Sequence, residues 1–118
     1  MTKHTIQYGD IFLVNFDPSI GHEYQKQRPA VVIQSQKQLG QSNLITIMPL
    51  TSQMHKKHGD DILVRTTQLN RLFADSLIKT HMIASFDRNR FVKKIGCLEK
   101  SHLSAIKIYL QRHFDLDS

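Results

Sequence analysis

The sequence predicts a mainly β domain of the α+β class that ends in a single helix. Runs of β-branched residues of strand length recur along most of the chain, and turn-forming residues separate them. Near the C-terminus, the spacing of apolar residues changes to steps of three and four, which is typical of a helix. Short strands at this spacing predict a small closed or half-closed barrel. The 118 residues predict one domain spanning residues 1–118.

The first predicted strand covers residues 11–16, and its apolar side chains fall on both alternating faces. This pattern indicates a strand that is covered on both sides. A turn over residues 17–21 and a polar loop that continues to Arg28 should follow. Pro29 can then open a second strand, because the first position of a strand tolerates a missing donor. The β-branched residues of 30–33 favour a central place for that strand in the sheet.

The middle of the chain alternates polar loops with short strands. A polar turn over residues 36–43 leads into a β-branched strand over 44–48, and we expect Pro49 to end it. A second long polar loop, residues 51–60, precedes a strand over 62–64.

The last third of the chain predicts one further strand region and the helix. Residues 69–73 should form a short helical turn or loop, and a strand region should follow over 76–78 and 82–84. Ser101 is a suitable N-cap for the C-terminal helix. One apolar stripe should pack that helix on the sheet. Its members are Leu103, Ile106, Leu110 and Phe114.

The composition excludes some functional classes. Hydrophobic residues make up 40% and charged residues 22%, which is typical of a folded globular domain and not of a disordered chain. The formal net charge of +6 attracts polyanions, so we expect nucleic acid or an acidic protein as a partner. A soluble surface with surplus lysine is the alternative. No apolar stretch reaches the roughly 18 residues of a membrane span, and no signal peptide is evident.

The single cysteine and the missing targeting segments predict the compartment. Cys97 cannot form an intramolecular disulfide, and its apolar neighbours predict a buried structural thiol. We therefore expect a cytoplasmic protein with no membrane contact.

The stretch 23–33 is the strongest candidate for a functional site. A polar loop ends in Arg28 and Pro29 and runs directly into a hydrophobic strand, which places a permanent cation at the rim of a sheet. A guanidinium binds two phosphate oxygens at once, so Arg28 is suited to phosphate. Judged by residue type alone, a surface salt bridge at a strand end is the better explanation of Arg28. On the same basis Thr51 is a plain turn or strand-end hydroxyl, and Glu23 is a solvated loop residue.

The basic tract at residues 55–58 does not predict a metal site. It holds two histidines without a cysteine or a third ligand, so we expect no metal. Lys56 and Lys57 can contact an RNA backbone, or the tract can be a solvated run of charge. His81 is expected to be structural. Arg88 lies in a charged segment that fits either phosphate contacts or a plain turn.

Several motifs resemble the PemK/MazF family of toxin endoribonucleases, in the same order along nearly the whole chain. They lie at residues 9–18, 21–23, 28–35, 49–52, 75–78 and 83–91. The resemblance implies an SH3-like barrel of the PemK/CcdB type with a C-terminal helix packed on the sheet. It also implies the toxin of a type II toxin–antitoxin system, which cleaves single-stranded RNA at specific sequences without a metal or other cofactor. The implied partners are an acidic antitoxin and a second copy in a homodimer.

The resemblance assigns roles to individual residues. The catalytic arginine, threonine and loop glutamate of the family fall on Arg28, Thr51 and Glu23. Proton transfer is left to Glu23, a nearby histidine or water. The expected RNA-binding residues are His22, Tyr24, Lys26, Ser52, Gln53, Lys56, Lys57 and Arg88. Tyr24 stands where glutamine is common in the family. Tyr24 and Phe86 can stack a base, or they can be loop or core anchors.

Two other functions remain open. A non-enzymatic toxin of the CcdB type that poisons gyrase shares the implied fold, but such toxins use a tryptophan at the tip of the C-terminal helix, and this chain has no tryptophan. A basic RNA-binding module without turnover fits the charge equally well.

Overall fold

The structure is a computed structural model that describes residues 5–16 and 27–116. Within those residues, seven strands and two α-helices follow one another along the chain. The strands are β1 (Asp10–Asn15), β2 (Gln27–Val32), β3 (Leu44–Thr51), β4 (Ile62–Val64), β5 (Ser76–Ile78), β6 (Ala84–Asp87) and β7 (Phe91–Cys97). The helices are α1 (Gln36–Leu39) and α2 (Lys100–His113), and 3₁₀ turns cover Met54–Lys56 and Arg88–Arg90.

All seven strands pair antiparallel in one sheet, in the order β4-β5-β3-β2-β1-β7, with β6 paired to β3. The prediction of a mainly β domain with a C-terminal helix is confirmed. The sheet is open, because its end strands β4 and β7 do not pair with each other among the described residues. The predicted barrel is therefore not closed within these residues.

The centre of the sheet is covered on both faces, as the alternation in β1 predicts. Phe12 and Val14 enter one core cluster together with Ala30 of β2 and Ile47 of β3. Ile11 lies on the opposite face from Phe12 and belongs to a second cluster, which contains buried residues of β1, β2 and β3. Two cores separated by one sheet fix the strand register, since a slip of one residue would exchange the two faces.

Strand β3 continues through Pro49, so the prediction that proline ends it is wrong. Pro49 pairs with Ala30 of β2, and its carbonyl oxygen accepts a hydrogen bond from the Lys79 backbone N–H at 2.9 Å. Immediately afterwards, Leu50 and Thr51 pair with β5. Pro49 thus lies where the pairing of β3 with β2 ends and its pairing with β5 begins. A missing backbone donor costs little at such a position.

Strand β2 begins at Gln27, one residue before Arg28, so Arg28 lies within the strand and not in the preceding loop. Two further elements differ from expectation. The polar turn over 36–43 contains α1, and of the strand region expected at 82–84 only Ala84 lies in a strand, as the first residue of β6. Strand β7 was not predicted.

Helix α2 packs on the second core as expected, with Leu103, Ile106 and Leu110 in that cluster. Its apolar stripe ends there, because Phe114 caps the helix and is 55% exposed. The N-cap is Glu99, not Ser101, and its carbonyl oxygen accepts hydrogen bonds from the first turn. None of the helices in the described ranges is long and apolar enough to cross a membrane.

Candidate active site

Arg28 and Thr51 lie at the adjoining ends of two neighbouring strands. The ladder between β2 and β3 pairs Ala30 with Pro49. The ladder ends at this pair, and Arg28 lies two residues before Ala30 while Thr51 lies two residues after Pro49. The structure thus brings together the two residues to which the sequence assigned catalysis.

Both residues line an open cavity of about 570 Å³. Residues of β1, β2, β3 and β7 and the segment that leads into β5 form its walls, and both polar and apolar side chains line it. These residues are Leu13, Gln27, Arg28, Pro29, Leu50, Thr51, Ser52, Gln53, Arg71, Leu72, Phe73, Ala74, Ser76, Lys93 and Ile95. Ser52 and Gln53, which were expected to bind RNA, therefore lie beside Thr51.

The Thr51 hydroxyl is oriented by its own loop. Thr51 is 7% exposed, and its Oγ1 accepts a hydrogen bond from the Gln53 backbone N–H at 3.2 Å. This contact uses a lone pair of the oxygen and leaves the hydroxyl proton available to donate. A hydroxyl donor and the half-buried Arg28 on the same cavity are suited to bind an oxyanion.

Three cavity residues were missed by sequence reasoning: Arg71, Phe73 and Lys93. Arg71 and Phe73 precede β5, whereas Lys93 lies in β7. They are distant in sequence from Arg28 and carry no motif, so only the tertiary arrangement places them at the same cavity. Arg71 and Lys93 add two cations to its wall.

Lys56 and Lys57 lie on the exposed loop after Thr51 and do not line the cavity. The Lys79 ammonium donates to the Lys56 carbonyl oxygen at 2.7 Å, and the Lys57 ammonium donates to the Gly59 carbonyl oxygen at 3.4 Å. The loop backbone is therefore tied to the segment that follows β5, while its basic side chains are exposed.

A buried carboxylate anchors the far end of that loop. Asp61 has a fully buried side chain and accepts hydrogen bonds from the Lys79 ammonium at 2.5 Å and from the His58 backbone N–H at 2.9 Å. His81 lies with its Nδ1 3.5 Å from Asp61 Oδ1, and its ring is 4.6 Å from that of His58. His81 therefore lies near this buried carboxylate and does not line the cavity of Arg28 and Thr51.

Arg88 lies apart from the cavity. Its Nη2 donates to the carbonyl oxygens of Leu39 at 2.8 Å and Ser42 at 3.3 Å, beside a separate depression of about 510 Å³. The structure therefore does not bring Arg88 together with Arg28.

The remaining predicted residues divide into two groups. Glu23, His22, Tyr24 and Lys26 lie outside the residues that the structure describes. Phe86 packs against the first core cluster with its ring edge-on to Phe16, 4.8 Å between centroids. This packing favours the alternative that Phe86 is a core anchor.

Comparisons with known proteins match nearly the whole chain. A family model described as "PemK-like, MazF-like toxin of type II toxin-antitoxin system" matches residues 7–114. Endoribonuclease MazF9 of Mycobacterium tuberculosis is 31% identical over 114 residues, which cover 92% of this chain and 95% of that protein.

Solved structures share the fold at lower sequence identity. MazF of Deinococcus radiodurans matches with a TM-score of 0.78 and 21% identity, over 96% of this chain and 99% of the other. Toxin MazF-mt6 of Mycobacterium tuberculosis matches with a TM-score of 0.72 and 20% identity, over 92% and 99%. A MazE–MazF structure from Deinococcus radiodurans matches with a TM-score of 0.76 and 17% identity, over 98% and 100%.

Proposed function

Because this chain belongs to the PemK-like, MazF-like toxins of type II toxin–antitoxin systems, we propose that it is an endoribonuclease that cleaves single-stranded RNA within specific sequences. The observation that carries the proposal is the position of Arg28 and Thr51 at adjoining strand ends on one cavity. The 31% identity to a protein named an endoribonuclease, over almost the full length of both chains, supports the same activity.

The proposed reaction needs no metal. The ribose 2′-oxygen attacks the adjacent phosphorus and forms a new P–O bond, while the bond from phosphorus to the 5′-oxygen breaks. One proton leaves the 2′-hydroxyl and another is delivered to the departing 5′-oxygen. The products are a 2′,3′-cyclic phosphate and a free 5′-hydroxyl, and no oxidant or further reactant is required.

Arg28 and Thr51 act on the charge that builds up at phosphorus. The Arg28 guanidinium pairs with the equatorial phosphorane oxygens, and the Thr51 hydroxyl donates a hydrogen bond to the same group. Preorganised donors of this kind contribute about 10²–10³-fold each. Glu23, a nearby histidine or water transfers the protons.

Other predicted residues hold the rest of the RNA. Ser52 and Gln53 line the cavity beside Thr51 and contact the nucleotide at the cleavage site. Lys56, Lys57 and the loop residues His22, Tyr24 and Lys26 contact more distant parts of the strand. Arg88, on the other depression, binds RNA that extends beyond the site.

The proposal includes the partners and the compartment. The chain acts in the cytoplasm as a homodimer whose substrate crosses both subunits. An acidic antitoxin segment neutralises it by occupying the same basic groove. The net charge of +6 supports this mode of inhibition, and a MazF of the same fold occurs with MazE in a crystal structure.

The test is incubation of the purified protein with a long defined RNA, followed by mapping of the new ends, with and without EDTA. We expect cleavage at a short recurring sequence, 5′-hydroxyl ends and no effect of EDTA. The Arg28→Ala variant should cleave at least about 10²-fold more slowly. Arg65→Ala is the matched control, because the Arg65 side chain is 76% exposed and does not line the cavity.

Three results would contradict the proposal. Intact RNA after incubation with the parent protein would leave only a binding module. Loss of activity in EDTA would exclude the metal-free mechanism, and normal cleavage by Arg28→Ala would remove Arg28 from the site.

A further inference from the structure

Phe73 is exposed to a degree that is unusual for an aromatic side chain. It is 94% exposed, the largest value among the large apolar residues of the described ranges, and it lines the cavity that contains Arg28 and Thr51. Phenylalanine is normally buried, because each ring removes a large apolar area from water. An aromatic ring held in solvent at the edge of a cavity indicates a surface that binds something.

The backbone that presents Phe73 is fixed by its neighbours. Leu72 is 7% exposed and packs in the second core cluster. Asn70 is fully buried, and its Oδ1 accepts hydrogen bonds from the backbone N–H groups of Thr67 and Leu72, both at 3.0 Å. Its Nδ2 donates to the Arg65 carbonyl oxygen at 2.9 Å. Phe73 therefore extends from an anchored segment.

Arg71, between these two buried residues, has a left-handed backbone with φ of 55°. A residue with a β-carbon adopts this region at a cost, and its neighbours must hold it there. The buried side chains of Asn70 and Leu72 do so, while the Arg71 side chain is exposed and lines the cavity. Lys93, also exposed, lines it from β7. Two cations thus share the cavity with the ring.

We propose that Phe73, Arg71 and Lys93 form the subsite for a nucleotide next to the scissile linkage, whose base stacks on the Phe73 ring and whose phosphate pairs with the two cations. The inference rests on the proposed endoribonuclease function. A flat apolar ring near separate cations matches a nucleotide, which offers a base face and a charged phosphate in each unit. Because the ring is already held in place, binding does not cost the conformational entropy of ordering a stacking surface.

The first experiment measures binding of a short RNA that contains the mapped cleavage site. A 2′-deoxy sugar at the scissile position removes the attacking hydroxyl, so binding is measured without turnover. Phe73→Ala should weaken binding about 10- to 100-fold, whereas Phe73→Trp should preserve it. Phe114→Ala is the matched control, since Phe114 is also exposed but does not line the cavity. Urea unfolding should be the same for all these variants.

The second experiment identifies the stacked base. One abasic nucleotide is placed in turn at each position that flanks the scissile linkage. At one position the parent should lose as much affinity as Phe73→Ala does with intact RNA, and Phe73→Ala should lose nothing more there. Arg71→Ala and Lys93→Ala should each reduce the slope of log affinity against log salt by about 0.7, the value for one phosphate contact on a single strand.

The possible failures can be distinguished. If the parent cleaves its mapped site but Phe73→Ala binds RNA normally, the subsite is wrong and the endoribonuclease proposal stands. If the parent cleaves no RNA, the endoribonuclease proposal fails and the subsite fails with it. If Phe73→Ala binds RNA normally but becomes a monomer or loses affinity for an acidic peptide, the ring belongs to a protein interface, which also overturns the subsite.

Discussion

The carbonyl oxygen of Asn70 lies 2.3 Å from the position that a β-carbon on Gly96 would occupy. Beside this contact, the Cys97 backbone N–H donates to the Leu69 carbonyl oxygen at 3.1 Å. Strand β7 therefore supports the segment that carries Arg71 and Phe73, and a glycine is needed where the two backbones meet. Through this contact, the edge strand β7 supports one wall of the cavity.

Gly96→Ala should destabilise the fold by about 1–3 kcal/mol or more, because the new methyl group overlaps backbone atoms that cannot rotate away. Urea unfolding measures the change. Gly40→Ala is the control: its β-carbon would meet no atom closer than 3.6 Å, so a change of less than about 1 kcal/mol is expected. Equal stability of Gly96→Ala and the parent protein would show that the close approach does not exist in solution.

Lys79→Met should destabilise the fold by about 3–5 kcal/mol, because it leaves the buried Asp61 carboxylate without its cation. The Lys79 side chain is only 10% exposed, and it also holds the Lys56 carbonyl oxygen. Arg65→Ala removes an exposed ion pair with Asp75 and should cost less than about 1 kcal/mol. If Lys79→Met and Arg65→Ala lowered the free energy of unfolding by similar amounts, the ion pair of Lys79 and Asp61 would be solvated and not buried.

The parts of the fold that were predictable are those in which local pattern and burial agree. The alternation along β1 and the apolar stripe of α2 up to Leu110 both correspond to buried side chains. Strand β7 was missed because its exposed residues Val92, Lys93 and Lys94 interrupt any alternation. The extension of β3 beyond Pro49 was missed because it depends on a change of partner strand, which local sequence does not encode.

The candidate site was predictable only where a motif marks it. Arg28 and Thr51 carry a recognisable context, and the structure sets them on one cavity. Arg71, Phe73 and Lys93 come from separate parts of the chain, so their grouping follows from tertiary contacts such as that of Asn70 with Gly96. The role of Arg88 stays a prediction. Its charge alone could not show that its guanidinium binds two carbonyl oxygens.

Protonation of Glu99 in acid should lower the free energy of unfolding. Burial on its own raises the pKa of this carboxyl, but hydrogen bonds from Thr67 and Asn70, its own backbone N–H and the charge of His102 hold the pKa below the ordinary value of 4.5. A lowered pKa in the folded state stabilises the fold above the unfolded pKa, and this contribution is lost as pH falls through the folded pKa.

Urea unfolding between about pH 7 and about pH 3 tests this expectation. Glu99→Gln keeps the size of the side chain but cannot titrate. Its free energy of unfolding should therefore depend less on pH below about 4.5 than that of the parent. Parallel curves for the two proteins throughout this range would show that Glu99 has the same pKa in the folded and unfolded states.

Thr51→Val should slow RNA cleavage by about 10²-fold with little loss of stability, because valine keeps the shape of threonine but cannot donate a hydrogen bond to the phosphorane. The substitution to valine also removes the acceptor of the Gln53 backbone N–H. Gln53 is exposed, so a water molecule can accept that hydrogen bond instead. Thr51→Ser retains the hydroxyl and should keep most of the activity. Single-turnover cleavage of the mapped RNA by the three proteins, with urea unfolding alongside, separates the two effects. If serine and valine slow cleavage equally, the Thr51 hydroxyl does not stabilise the transition state, and Arg28 would be left as the principal group acting on the phosphate.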